Sequence, residues 1–175
     1  MTHRSRQARI RPEQPEDCDV IHAVHLSAFE QPLEADLVDA IRRDGLITCS
    51  LVAELEEAIV GHILFTPVTI EGSADVRAVG LAPMAVSPGV QRRGIGTSLV
   101  EAGLAASRLQ GIEAVVVLGH PEFYPRFGFL PASRFGLRCE FPVPDEAFMA
   151  IELVDGAVSG RQGLVRYLPH FSAGA

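Results

Sequence analysis

The sequence predicts one α/β domain, built on a mixed, mostly antiparallel central sheet with helices on both faces. Short β-branched runs alternate with stretches of helical period. Two of those runs meet at an acidic break instead of across a helix, which marks a hairpin. In mid-chain, a glycine-rich turn joins a strand directly to an amphipathic helix. The length of 175 residues and the apolar content of 47% suit a single folded domain over 1–175, with residues 1–7 as a flexible basic tail.

The elements follow in order. Residues 8–11 read as a first strand stopped by Pro12. In PEDCDVIHAVHLSAF, Val20, Ile21, Val24 and Ala28 fall on one helical face, with acids in the first turn. A second helix after Pro32 aligns Leu33, Leu37, Val38 and Ile41 until Gly45 ends it; the short connection FEQP leaves Phe29 and Glu30 at a mouth or corner. SLVAELEEAIVGHILFTPVTI is a hairpin broken at Glu56 and Glu57, and residues 78–86 form the next strand, fourth in the chain. From Ile95 a stripe runs through Leu99, Ala102, Ala106 and Leu109 until Gly111. EAVVVLG, residues 113–119, is a fully buried fifth strand. A short helix, a strand near 136–140 and a strand in FMAIELVDG lead to GLVRYLPHF.

Composition narrows the chemistry. The net charge of −7 argues against a nucleic-acid binder, and a cationic acceptor such as an amine suits that charge better. All basic side chains other than histidine are arginines, so lysine nucleophiles and Schiff bases are excluded. Cys18, Cys49 and Cys139 are odd in number and widely spaced, which fits a reducing compartment and gives no zinc framework. MTHRSRQARIR is not followed by an apolar segment, and no apolar run approaches the ~20 residues of a membrane helix. The expected location is cytoplasmic, with no membrane partner.

Three phosphate-binding patterns compete for the turn PGVQRRGIGTSLV. A Walker A loop needs lysine where Ile95 stands. A dinucleotide fingerprint needs a third glycine where Leu99 stands. The pattern Q/R-x-x-G-x-G/A is met at every position by Gln91, Arg92, Arg93, Gly94, Ile95 and Gly96. Its glycines let successive amides turn inward at a helix start, and the arginines add positive charge toward a pyrophosphate or ribose phosphate.

With the strand LAPMAVSP before it and FYPRFGF after it, this stretch resembles the GNAT superfamily of acetyl-CoA-dependent N-acyltransferases. The resemblance covers most of the chain, and VRYLPHF looks like one bacterial branch of acetyltransferases. It implies a GNAT fold whose sheet splays between the fourth and fifth strands. Acetyl-CoA is then the co-substrate, its pantetheine arm lying along Met84, Ala85 and Val86 and its phosphates on Gln91, Arg92, Arg93, Gly94, Ile95, Gly96 and Thr97. An amide near Val86 would polarise the thioester carbonyl.

The same resemblance implies direct attack of a primary amine, with no metal and no covalent enzyme intermediate. Tyr124 matches the family's tyrosine acid, four residues before Gly128. It also reads as an aromatic packing with Phe123, Phe127 and Phe129. His120, Glu30 and Glu122 are candidates for the base, none preferred. The acceptor, a small molecule or a peptide, is not specified, and a homodimer is a further expectation. The competing class is a non-catalytic acyl-CoA-binding sensor. Elsewhere, His22 and His25 read as a surface pair on a helix, His62 as a core or edge residue, and no G-x-S-x-G elbow is present.

Overall fold

The computed structural model describes residues 7–172, so all of the expected basic tail except Gln7 lies outside the described residues. The strands are β1 (Arg9–Pro12), β2 (Cys49–Leu55), β3 (Ala58–Ile70), β4 (Ala78–Val86), β5 (Ala114–Leu118), β6 (Leu130–Pro131), β7 (Leu137–Cys139), β8 (Phe148–Glu152) and β9 (Gly163–Arg166). The helices are α1 (Cys18–Ala28), α2 (Leu33–Arg43) and α3 (Ile95–Leu109). The main sheet runs β1-β2-β3-β4-β5-β8-β6, and β9 joins the far end of β3 to β7. Among the described residues, only β4–β5 and β7–β9 are parallel pairs. The expected mixed, mostly antiparallel sheet is therefore present.

Period-two alternation sorts the core. Leu51, Ile63, Phe65, Leu81, Val115 and Val117 face α3, while Val52, Leu64, Val116 and Ala150 face the opposite layer. The β2–β3 hairpin turns at Glu56 and Glu57, both at positive φ (52° and 68°), the twist a two-residue hairpin demands. Gly103 lets α3 settle directly on the Phe65 ring, since a Cβ there would overlap that ring.

The helical faces differ from the simple apolar count. On α1, Val20 is 43% exposed and His25 is fully buried in its stead, beside Ile21 and Val24. On α2 the exposed apolar residue is Leu33, and the buried face is Ala35, Val38 and Ile41. On α3, Leu109 is 90% exposed, and the buried stripe runs Ile95, Leu99, Val100, Gly103, Leu104 and Ser107. Small residues, not large ones, let that helix approach the sheet.

Beyond β5, the expected short helix is a single 3-10 turn at Tyr124–Phe127. The expected two strands resolve into β6, β7, β8 and β9. Residues after β9 fold back: the Tyr167 ring covers Gly80, Phe171 packs on Tyr167, and His170 Nε2 meets Asp44 Oδ2 at 2.7 Å. That return places Phe171 near the sheet's open centre.

Candidate functional site

Strands β4 and β5 pair only from Ala78↔Ala114 to Leu81↔Val117. Beyond Leu81, β4 continues on β3 through Ile63↔Met84, His62↔Ala85 and Gly61↔Val86, while β5 stays with β8 to Leu118↔Phe148. The splay leaves the β5-facing edge of residues 82–86 open. A cavity of about 1280 Å³ occupies the gap, larger than the usual small-molecule pocket. It also lies at the carboxyl ends of two parallel strands, where open α/β sheets collect ligands.

One wall of the cavity is the loop and first turn of α3. Arg92 and Gly94 sit at positive φ, 62° and 80°. The first intrahelical bond runs from the Ser98 amide to the Gly94 carbonyl at 3.0 Å. The amides of Ile95, Gly96 and Thr97 therefore precede the helix's own ladder, at the positive end of its dipole. A Cβ on Gly96 would come no closer than 3.7 Å to any protein atom, so internal packing does not demand glycine there. The bare backbone instead leaves space inside the cavity. Gln91 turns inward and donates from Nε2 to the Val86 carbonyl at 2.9 Å, tying the loop to the end of β4.

Met84, Val86, Gln91, Arg92, Gly94, Ile95, Gly96 and Thr97 all line this cavity. Two residues expected with them do not. Ala85 is buried and alternates to the opposite face of β4. Arg93 instead lines a smaller adjoining cavity of about 710 Å³ with Gln7 and Ser98.

On the other wall, Tyr124 is 6% exposed and lies edge-on to Phe123 and Phe129, with ring centroids 5.0 and 5.6 Å away. Its ring rests on Gly119, where a Cβ would overlap it. Burial raises the phenol to about 12, so it holds its proton throughout the neutral range. Packing and cavity lining are thus combined in one side chain. His120 and Glu122 are exposed on this same wall, whereas Glu30 is exposed and off it; its neighbour Phe29 is the lining residue. Arg126, over the Phe123 ring at 5.1 Å, also lines the cavity.

The far end is closed by Phe29, Glu34, Leu37 and Phe171. Sequence reasoning placed Phe29 at a mouth but missed the other three. Glu34 and Leu37 come from α2 and Phe171 from the return after β9, and they carry no local motif. Behind Phe29 lies a polar chain also missed. His25 Nε2 meets His62 Nδ1 at 2.8 Å, and His62 Nε2 meets Ser50 Oγ at 2.7 Å. Ser50 Oγ donates to Glu13 Oε2, and Arg42 donates to both Glu13 oxygens at 3.0 Å. His22 is hydrogen-bonded to Asp39 at 2.7 Å, so His22 and His25 are not a surface pair: one is bridged to α2 and the other fully buried.

Burial, reinforced by the charges of His62, Arg42 and His22, pushes His25 down to about 3. Burial also lowers His62, outweighing the opposing influence of Glu13. For Glu13, burial alone would raise the carboxyl; hydrogen bonds with His62, Arg42 and Ser50 prevail and hold it below the usual carboxylate range. Both rings are therefore neutral at pH 7 beside an ionised carboxylate. Among the described residues, no group of three or more His, Cys, Asp or Glu side chains is placed to hold a metal ion, and no helix is long and apolar enough to cross a membrane.

Comparison with known proteins converges on this geometry. Residues 47–131 match the acetyltransferase (GNAT) domain model. The chain is 41% identical over 164 residues to YhbS of Escherichia coli (strain K12), described as an uncharacterized N-acetyltransferase, covering 93% of this chain and 98% of YhbS. The crystal structure of E. coli YhbS in complex with CoA superposes with a TM-score of 0.92 at 40% identity, covering 98% of this chain and 96% of that one. A GNAT family acetyltransferase from Brucella melitensis, solved with acetyl-CoA, gives a TM-score of 0.78 at 32% identity over 95% of this chain and 99% of that one. These relatives share the fold over nearly the whole chain, and the chain belongs to the GNAT family of acetyltransferases.

Proposed function

We propose that this protein transfers the acetyl group of acetyl-CoA to a primary amine by direct attack on the thioester. One observation carries the reading: the open edge of β4 runs straight into the unpaired amides at the start of α3, inside a single cavity that also holds Tyr124. An extended pantetheine arm would pair with residues 84–86, and the pyrophosphate would take the amides of residues 94–97 with the charge of Arg92, Arg93 standing beside it in the adjoining cavity. The Val86 amide would polarise the thioester carbonyl. The relatives solved with CoA and acetyl-CoA support this donor.

Tyr124 supplies the proton for the departing thiolate. Its raised pKa keeps the phenol protonated at neutral pH, the form that can hydrogen-bond to the sulfur and donate as the C–S bond breaks. His120 and Glu122 remain base candidates by position, and Glu30 lies off the cavity wall. The acceptor is an amine of a small molecule or a peptide.

Thiol release from acetyl-CoA against an amine panel tests the reading. Tyr124→Phe is expected to lower kcat about 100-fold while acetyl-CoA affinity stays within about twofold, because a general acid acts only as the bond breaks. A wild-type protein that binds acetyl-CoA but acetylates no amine would favour an acyl-CoA sensor. CoA at ~100 times its Kd should stabilise the fold by about 2.7 kcal/mol. Stabilisation by ATP or NADH but not by CoA would overturn the donor assignment.

A further inference from the structure

The carboxylates around α1 and α2 are of two kinds. Glu13, Asp17 and Asp39 are partly or fully buried, and each is held by an arginine: Glu13 and Asp39 by Arg42, Asp17 by Arg11. Others, such as Asp36, are exposed and have water for a partner. Glu34 fits neither kind. It is half-buried in the cavity wall, and among the described residues it has neither a hydrogen bond nor an ion pair. Its place in the first turn of α2 does favour an acid, through the helix dipole. Asp36 meets that need in the same turn without lining the cavity. The dipole therefore accounts for an acid in this turn, but not for one that faces the cavity.

The surroundings of Glu34 call for a cation. The other side chains at this end of the cavity are Phe29, Leu37 and Phe171, none of which can donate to a carboxylate. The arginines of the cavity stand elsewhere, Arg92 in the loop before α3 and Arg126 over the Phe123 ring after β5. A carboxylate half out of water among apolar groups gains from an opposite charge that arrives on an apolar stem. The aromatic rings beside it favour the same sign of charge.

We infer that Glu34 binds a second, non-reacting cation of the acceptor, so that the preferred substrates are amines in which an apolar spacer separates the attacking nitrogen from a retained ammonium. The inference rests on the amine-acceptor reading above. The attacking nitrogen enters the reaction neutral, while the other keeps its proton and pairs with Glu34. The methylenes between them lie along Phe29, Leu37 and Phe171. On transfer the C–N bond forms as the C–S bond breaks, and the proton lost by the attacking nitrogen balances the one taken up by the thiolate. The distal ammonium is unchanged, so Glu34 sets selection and takes no part in the chemistry. A free diamine and a peptide amine followed by a basic side chain present this same pair of groups.

Calorimetry and thiol release on the full chain test this with matched pairs that differ in the second cation. The pairs are putrescine against butylamine, cadaverine against pentylamine, and alanyl-lysine amide against alanyl-norleucine amide; the pair that responds tells a free diamine from a peptide amine. On the CoA-loaded protein, at least one dication should bind about tenfold more tightly than its matched monoamine. Glu34→Gln should abolish that preference and raise the dication KM about tenfold, with the monoamine and acetyl-CoA KM values within about twofold of wild type. Asp36→Asn removes the same charge from the same turn outside the cavity and should leave the preference intact. A preference that survives Glu34→Gln, one that Asp36→Asn abolishes equally, or no preference in any pair overturns the inference. Binding is read without turnover, so a protein that holds putrescine through Glu34 yet acetylates no amine would uphold the Glu34 site and count against the transfer reading alone.

Discussion

The two ends of the cavity are made of different material. The loop end is backbone: amides at the start of α3, an unpaired strand edge, and glycines that keep side chains out of the way. The Phe29 end is side chain: Phe29, Glu34, Leu37 and Phe171 from three separate segments, with a buried polar chain behind them. A backbone site recognises what all members of a reaction class share, here a phosphate and an extended arm. A side-chain site is rebuilt by point substitution and so sets which acceptor enters.

The sharpest break in that comparison is at Tyr124, where the two ends meet. Gly119→Ala places a methyl where the tyrosine ring lies. Displacing the hydroxyl by about 1 Å is expected to lower kcat about 100-fold, with acetyl-CoA affinity within about threefold. Single-turnover thiol release with calorimetry reads both. An unchanged kcat would remove Tyr124 from the chemistry.

Acid should undo the side-chain end. The unfolded chain takes a proton on His25 near 6.5, whereas the folded protein resists until about 3. Unfolded protein therefore binds protons first as pH falls, and stability is lost below pH 6.5 at up to about 1.4 kcal/mol per unit until pH 3. Denaturant titrations between pH 7 and 4.5 should show a loss of roughly 2–3 kcal/mol from this group, and a shallower slope in His25→Gln. Parallel slopes would show that His25 is not held neutral.

Smaller effects separate the ends cleanly. Gly96→Ala meets no protein atom within 3.7 Å. Stability should hold or rise by about 0.5–1 kcal/mol, while acetyl-CoA affinity falls by roughly tenfold, equivalent to ~1.4 kcal/mol. Phe29→Ala should do the reverse, changing the amine KM a few-fold and leaving the acetyl-CoA Kd alone. If Phe29→Ala weakened CoA instead, the assignment of the two ends would be wrong.

The same division explains what the sequence disclosed. Gly94 and Gly96 announce themselves because a bent, unobstructed backbone admits few other residues. The hairpin at Glu56 and Glu57 and the buried run of β5 were legible because period two and turn chemistry are local. The helix faces were partly misread. On α3 the expected stripe holds at Ile95, Leu99, Ala102 and Ala106 but fails at Leu109, which faces water while Val100, Gly103, Leu104 and Ser107 complete the buried face. The polar chain left no trace at all. Glu13, His25, Ser50 and His62 lie on four different elements, and only the sheet's register and the docking of α1 bring them together. Phe171 joins the wall only because Tyr167 finds its seat on Gly80.

The unpaired edge of β4 has one further consequence. Open strand edges are templates on which proteins aggregate, and most are guarded by charge, proline or a bulge at the sheet's border. This edge lies in the middle of the sheet, recessed between β4 and β5. The fold thus keeps its unpaired edge inside a cavity, away from the sheet's border, where strand-on-strand aggregation is templated.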